Sequence, residues 1–202
     1  MTPSAPTIVC LRHAESENVV LGVSGAVPLA PLTDRGRAQA LSAAETPVLR
    51  TVTRLYTSTA LRARETAEII GAVLGVDVVA LPELVEVGLG RQDGVMDQDL
   101  RRDTADVLHD WVVHGDLIRR VADGENGAQV LARIDAALTA IAAAHAGGTV
   151  GVVGHVGSLT AGLSVLCGLG ARVWGKPLPH AVPFSVSWHG DSWRCEAWPV
   201  AI

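Results

Sequence analysis

The sequence predicts an α/β fold: a three-layer sandwich with a mostly parallel central sheet, helices on both faces and a C-terminal antiparallel edge hairpin. Three observations predict it. Short, largely apolar runs rich in β-forming residues at 7–11, 52–56, 76–80 and 149–153 read as strands buried on both faces. Segments of helical periodicity separate these runs, the order of a parallel sheet wound through crossovers. From Phe184 onward, apolar and polar residues alternate instead.

In chain order, the first strand, TIVCL, runs straight into Arg12 and His13. Thr33 caps a helix predicted over 34–45. The second strand leads to a helix over 60–74, in which Ala63, Ala67, Ile70 and Leu74 share one face. After the third strand, helices are predicted at 97–113 and 128–144. TVGVV, then GHVGS, then LTAGLSVLCGL reads as a buried strand, a tight turn and a helix capped by Ser158. Phe184, Val186 and Trp188 form one arm of the hairpin, and Trp193 and Cys195 the other, around the turn-like HGDS. The tryptophans are read as packing residues.

The 202 residues contain no linker-like tract, so one domain over 1–202 is expected. A net charge of -5 provides no basic footprint and argues against nucleic acid as a partner. Residues 147–170 lack Asp, Glu, Lys and Arg over a length that could span a bilayer. Their glycines and His155 fit a strand, turn and helix better, so no membrane contact is expected. Three scattered cysteines fit a reducing, cytoplasmic setting, and MTPSAPT lacks the features of a secretion leader. The apolar composition allows a homodimer.

Ligands of open α/β sheets bind beyond the carboxyl ends of the strands. The first strand there delivers Arg12 and His13. The second leads to Arg62, in the opening turns of a helix starting near Ser58 or Thr59, and the late strand delivers His155. Two fixed guanidinium forks, two imidazoles and a helix amino end suit a phosphate group. The cations also favour neutral imidazole, whose lone pair can attack phosphorus. His109 and His114 are spaced poorly for a metal on a regular helix, so neither a metal nor another cofactor is expected. GARVWGKP lacks the Ser or Thr of a phosphate loop and is read as chance.

The run LRHAES resembles the RHG signature of the histidine phosphatase superfamily, which includes cofactor-dependent phosphoglycerate mutases and many phosphatases. The likeness continues in order through PLTDRGRAQA, STALRARETA, ELVEVGLGRQDG, DGENGAQVLARI and VVGHVGS. It implies that His13 is the phosphorylated nucleophile, that Arg12, Arg62 and His155 hold the phosphoryl oxygens, and that Glu86 protonates the leaving oxygen. Glu83 falls outside the family spacing. Asn18, Ser24, Gly25 and Val156 are the expected substrate contacts. Ala14 stands where the family has Gly and Val156 follows His155 where Gly is common, while Asn18 comes one residue early.

The expected activity is metal-independent hydrolysis of a small phosphorylated metabolite through a phosphohistidine, with inorganic phosphate as product. The alternatives are phosphoglycerate mutase-type transfer, with Arg101 and Arg102 on a substrate carboxylate, a phosphoprotein phosphatase, and an inactive phosphate-binding regulator. Further specificity contacts are sought between Gln92 and Arg102 and at Arg119, Arg120 and His180.

Overall fold

A computed structural model of the chain describes residues 6–199. The strands are β1 (Thr7–Arg12), β2 (Leu55–Ser58), β3 (Val78–Leu81), β4 (Thr149–Gly154), β5 (Phe184–Trp188) and β6 (Trp193–Cys195). They form one six-stranded sheet in the order β3-β2-β4-β1-β5-β6. The first four in that order run parallel, and β5 lies antiparallel to both β1 and β6.

Helices α2 (Asp34–Ala44) and α3 (Leu61–Leu74) cover one face, and α5 (Gly127–Ala144) and α6 (Val156–Leu166) the other. α1 (Glu17–Val20) and α4 (Gln98–His109) flank the carboxyl ends of the strands. The alternation inside β1 explains the layers: Val9 and Leu11 join the core under α2 and α3, while Ile8 and Cys10 join the one under α5 and α6. The charge-free stretch divides into β4 and α6, both largely buried. α5 is itself long and apolar enough to cross a membrane, but Val130, Ile134, Leu138 and Ile141 bury one face in the core.

Several predicted boundaries shift for local reasons. Val52 closes a 3-10 turn through its N–H to the Leu49 carbonyl, so β2 starts three residues later than expected. Val76 returns its N–H to Gly71 past the left-handed Gly75, which delays β3. The helix expected over 97–113 stays α-helical only to His109 and continues as a π turn, Asp110–His114. Ser158 does not cap α6, which begins at Val156 and takes its cap from Glu86.

Candidate active site

β1 and β4 are adjacent and parallel, with Arg12 paired in register to Gly154, so His13 and His155 leave the sheet side by side. Their ring centroids lie 5.1 Å apart, and both residues are almost wholly buried. Arg62, 2% exposed in the first turn of α3, lies between them. Its Nε–H donates to His13 Nε2 at 3.2 Å, its Nη2 to His155 Nδ1 at 3.2 Å, and its Nη1 to the Val27 carbonyl. Thr66 accepts from the Ala14 N–H at 3.0 Å and donates to the Arg62 carbonyl at 2.7 Å, tying the loop after β1 to α3.

These bonds fix the histidine tautomers. His13 Nδ1 lies 2.7 Å from the Ala14 carbonyl, which can only accept, so Nδ1 carries the proton and Nε2 the lone pair. His155 Nδ1 accepts from Arg62, so Nε2 carries the proton and donates to Ser58 Oγ at 2.8 Å. Burial lowers the pKa of both rings well below the ordinary histidine value, and Arg62 and Arg12 lower it further. Both are neutral imidazoles.

Arg12 is set by a strap beside the end of β1. Its Nη1 donates to the Leu178 carbonyl at 3.1 Å, the Ala181 N–H returns to the Arg12 carbonyl at 3.0 Å, and His180 Nδ1–H donates to the His13 carbonyl at 2.9 Å. Ala181 adopts φ +55°, a left-handed conformation that alanine disfavours. Burial lowers the guanidinium pKa to about 10, against the opposing pull of Glu86, and its Nε–H is buried without a partner.

Glu86 reaches the amino end of α6. Its Oε1 accepts from Ser158 N–H at 2.7 Å and Val87 N–H at 2.9 Å, and its Oε2 accepts from Gly157 N–H at 3.1 Å. A Cβ on residue 157 would stand 2.7 Å from Oε1, so glycine is required for this approach. Arg133 holds the loop from behind through the carbonyls of Glu83, Val85 and Glu86, and pairs with both oxygens of Glu125.

Arg12, His13, Arg62 and Glu86 line one cavity of about 290 Å³. Asn18, Ser24, Gly25 and Val156 line it too. Cations and neutral imidazole nitrogens gathered at the carboxyl edge of a parallel sheet can bind a phosphoryl group and present a nucleophile to it.

A family model described as the histidine phosphatase superfamily (branch 1) matches residues 8–201. The chain belongs to this family. Among histidine phosphatase relatives, it is 28% identical over 202 residues to "Probable phosphoglycerate mutase GpmB" of Cronobacter sakazakii, covering 96% of this chain and 90% of that protein. Among solved structures, a mycobacterial glucosyl-3-phosphoglycerate phosphatase complexed with VO3 superposes with a TM-score of 0.81 at 25% identity, covering 96% of this chain and 99% of that one. A structure titled "Mycobacterial hydrolase 1" gives a TM-score of 0.82 at 25% identity, covering 98% and 100%.

Some expectations about this histidine phosphatase site need correction. The α3 amino end is partly occupied, because the Leu61 N–H is taken by the Pro28 carbonyl and the Ala60 N–H by Ser58 Oγ. Ala14 lies outside the positive-φ region, so alanine replaces the usual glycine there without strain. His109 and His114 do converge, because the π turn places residues five apart on one side. With Asp110 their ligand atoms lie within 4.8 Å of one another, but Asp110 is already paired with Arg119.

Asn18 is buried, its amide held by Ser16 Oγ at 2.8 Å and by the Val23 carbonyl at 3.3 Å. Gly25, at φ +87°, packs where a Cβ would stand 2.2 Å from Asp93 Oδ1. Arg101 lines the cavity but donates to the Gly22 carbonyl, while Arg102 pairs with Asp99. Glu83, Arg119, Arg120 and His180 do not line the cavity, and neither does His155, whose two ring nitrogens are engaged by Arg62 and Ser58, so it backs Arg62 instead of holding phosphoryl oxygens.

Sequence reasoning passed over Ser58, Thr66 and Arg133, which position His155, Arg62 and the Glu86 loop. For Arg133 the signal was its place in DGENGAQVLARI; Ser58 and Thr66 both lie in STALRARETA.

Proposed function

We propose that the chain is a metal-independent phosphomonoesterase acting through a phosphohistidine. The tautomer of His13 carries the reading: with Nδ1–H anchored on Ala14, the Nε2 lone pair is held beside Arg62 in the cavity wall. In the first step that lone pair attacks phosphorus and the bond to the alcohol oxygen breaks. The incoming oxygens take over the Arg62 donors from the imidazoles and engage the Arg12 guanidinium. The leaving alkoxide takes a proton from Glu86, carried on Oε2, which accepts one N–H bond against two on Oε1. In the second step Glu86 removes a proton from water, which attacks phosphorus and breaks the P–N bond. Inorganic phosphate leaves. The anchored Nδ1–H stabilises the positive ring of the intermediate.

No step requires a metal, and the buried Cys10 thiol is too weakly acidic to compete as nucleophile. Three free thiols fit a cytoplasmic protein. Incubation with a labelled phosphate ester should leave label on the wild-type protein that survives alkaline quench and is lost in acid. His13→Ala should show neither label nor turnover, and full activity in that variant refutes the reading.

Mutase-type transfer is the second reading, favoured by the name of the Cronobacter relative and by Arg101 at the cavity wall. The expected pair of carboxylate-binding arginines is divided, since Arg102 faces Asp99. A coupled assay comparing phosphoglycerate interconversion with phosphate release separates the two.

A further inference from the structure

A second cavity, also of about 290 Å³, opens between α4, α6 and the loop through Trp174. Leu108, Val156 and Gly157 line both it and the catalytic cavity, so the two adjoin across that ridge. Its remaining walls are Val112, Val173, Trp174 and Pro177, and among the described residues lining it Lys176 alone is charged. The wall is built: the Trp174 ring packs edge-on against His109 at 5.0 Å, and Trp198 Nε1–H holds the Lys176 carbonyl at 2.9 Å.

Thr160 is the one hydroxyl-bearing residue among those lining it. Thr66 and Thr104 return their hydroxyls to the carbonyl four residues back, each at 2.7 Å, as helical threonines commonly do. Thr160, in α6, does not. Its hydroxyl oxygen is out of solvent, so it lies behind the cavity surface and leaves the lining apolar there.

The geometry points to a leaving-group subsite: the chain acts on phosphate monoesters of bulky, largely apolar alcohols. This deepens the phosphomonoesterase reading and rests on it. With phosphate on Arg12 and Arg62, the alcohol extends past Glu86, over Val156, into the second cavity. A small, highly charged alcohol such as that of a phosphoglycerate leaves this space unused.

The test is a series of straight-chain alkyl phosphates from ethyl to hexyl, with glycerol phosphate as the compact polar reference. Their alcohols have nearly the same acidity, so leaving-group reactivity does not confound chain length. Burial of each methylene should raise kcat/KM about fourfold. Ala105, an exposed residue of α4 at the subsite wall, allows a filling variant. In Ala105→Trp, checked for folding by circular dichroism, the hexyl-to-ethyl ratio of kcat/KM should collapse toward one. Turnover of every ester with no gain along the wild-type series overturns the subsite and leaves the phosphomonoesterase reading standing. No turnover of any ester, p-nitrophenyl phosphate included, removes both.

Discussion

Replacing Arg12 with methionine should abolish most activity and make the protein more stable. Burial lowers the Arg12 pKa to about 10, more than two powers of ten in proton affinity. At about 1.4 kcal/mol for each power of ten, that is about 3 kcal/mol of unfavourable placement. That figure already includes the opposing pull of Glu86 and the smaller push of Arg62. The variant loses the hydrogen bond to the Leu178 carbonyl, worth about 1 kcal/mol. The difference leaves Arg12→Met more stable by about 2 kcal/mol, a rise in Tm of about 4–8 °C for a chain of this size.

Urea or thermal unfolding measures this, with and without inorganic phosphate. Phosphate at a hundredfold excess over its Kd should stabilise the wild type by about 2.7 kcal/mol and the variant far less. Turnover should fall about 10²–10³-fold, as when a fixed transition-state donor is removed. A variant less stable than wild type by over about 1 kcal/mol, with native circular dichroism, would refute the view that Arg12 is held against its own electrostatics for the sake of an anion.

Glu86→Gln should slow hydrolysis of alkyl phosphates by about 10²–10⁴-fold but that of p-nitrophenyl phosphate much less, since nitrophenolate leaves without a proton; equal losses on both rule out the proton-donor role. Ser58→Ala frees the His155 ring and should lower kcat by about 10–100-fold with little change in KM, and Ser58→Thr should restore part of it. With His13 held neutral well below the ordinary histidine pKa of 6.5, the acid limb of kcat/KM should fall below pH 6.5; a limb at or above that value excludes a depressed nucleophile. The stability effect has the matching sign. Between the lowered folded values of His13 and His155 and about 6.5, the unfolded chain binds protons that the folded chain does not. Stability should therefore fall as pH drops through that window, by up to about 1.4 kcal/mol per pH unit for each ring.

What was legible in the sequence was local. An apolar run ending at Arg12 and His13, a helix opening at Arg62 and a glycine-bounded strand ending at His155 each carry their own signal, and parallel winding brings the three together. What was not legible depends on contacts between distant residues. Ser58 and His155 are 97 residues apart, and His180 and His13 are 167 apart. The α6 cap was missed for the same reason: Ser158 is the right residue type in the right place, but a carboxylate from 72 residues earlier claims its N–H. The π turn gave no warning either, because nothing in DWVVH distinguishes an i+5 register from an i+4 one.

The occupied helix ends decide what kind of anion site this is. A helix amino terminus beside a sheet usually offers bare N–H groups to phosphate. Here the α6 terminus is occupied by Glu86, and Pro28 and Ser58 take N–H groups at the start of α3. Phosphate charge therefore falls on side chains, Arg12 and Arg62, and the positive end of α6 is spent on orienting the carboxylate. The division suits two-step chemistry. Guanidinium groups stay charged while the phosphoryl group passes to His13 and away again, and a carboxylate docked on fixed backbone donors returns to the same place after giving up its proton.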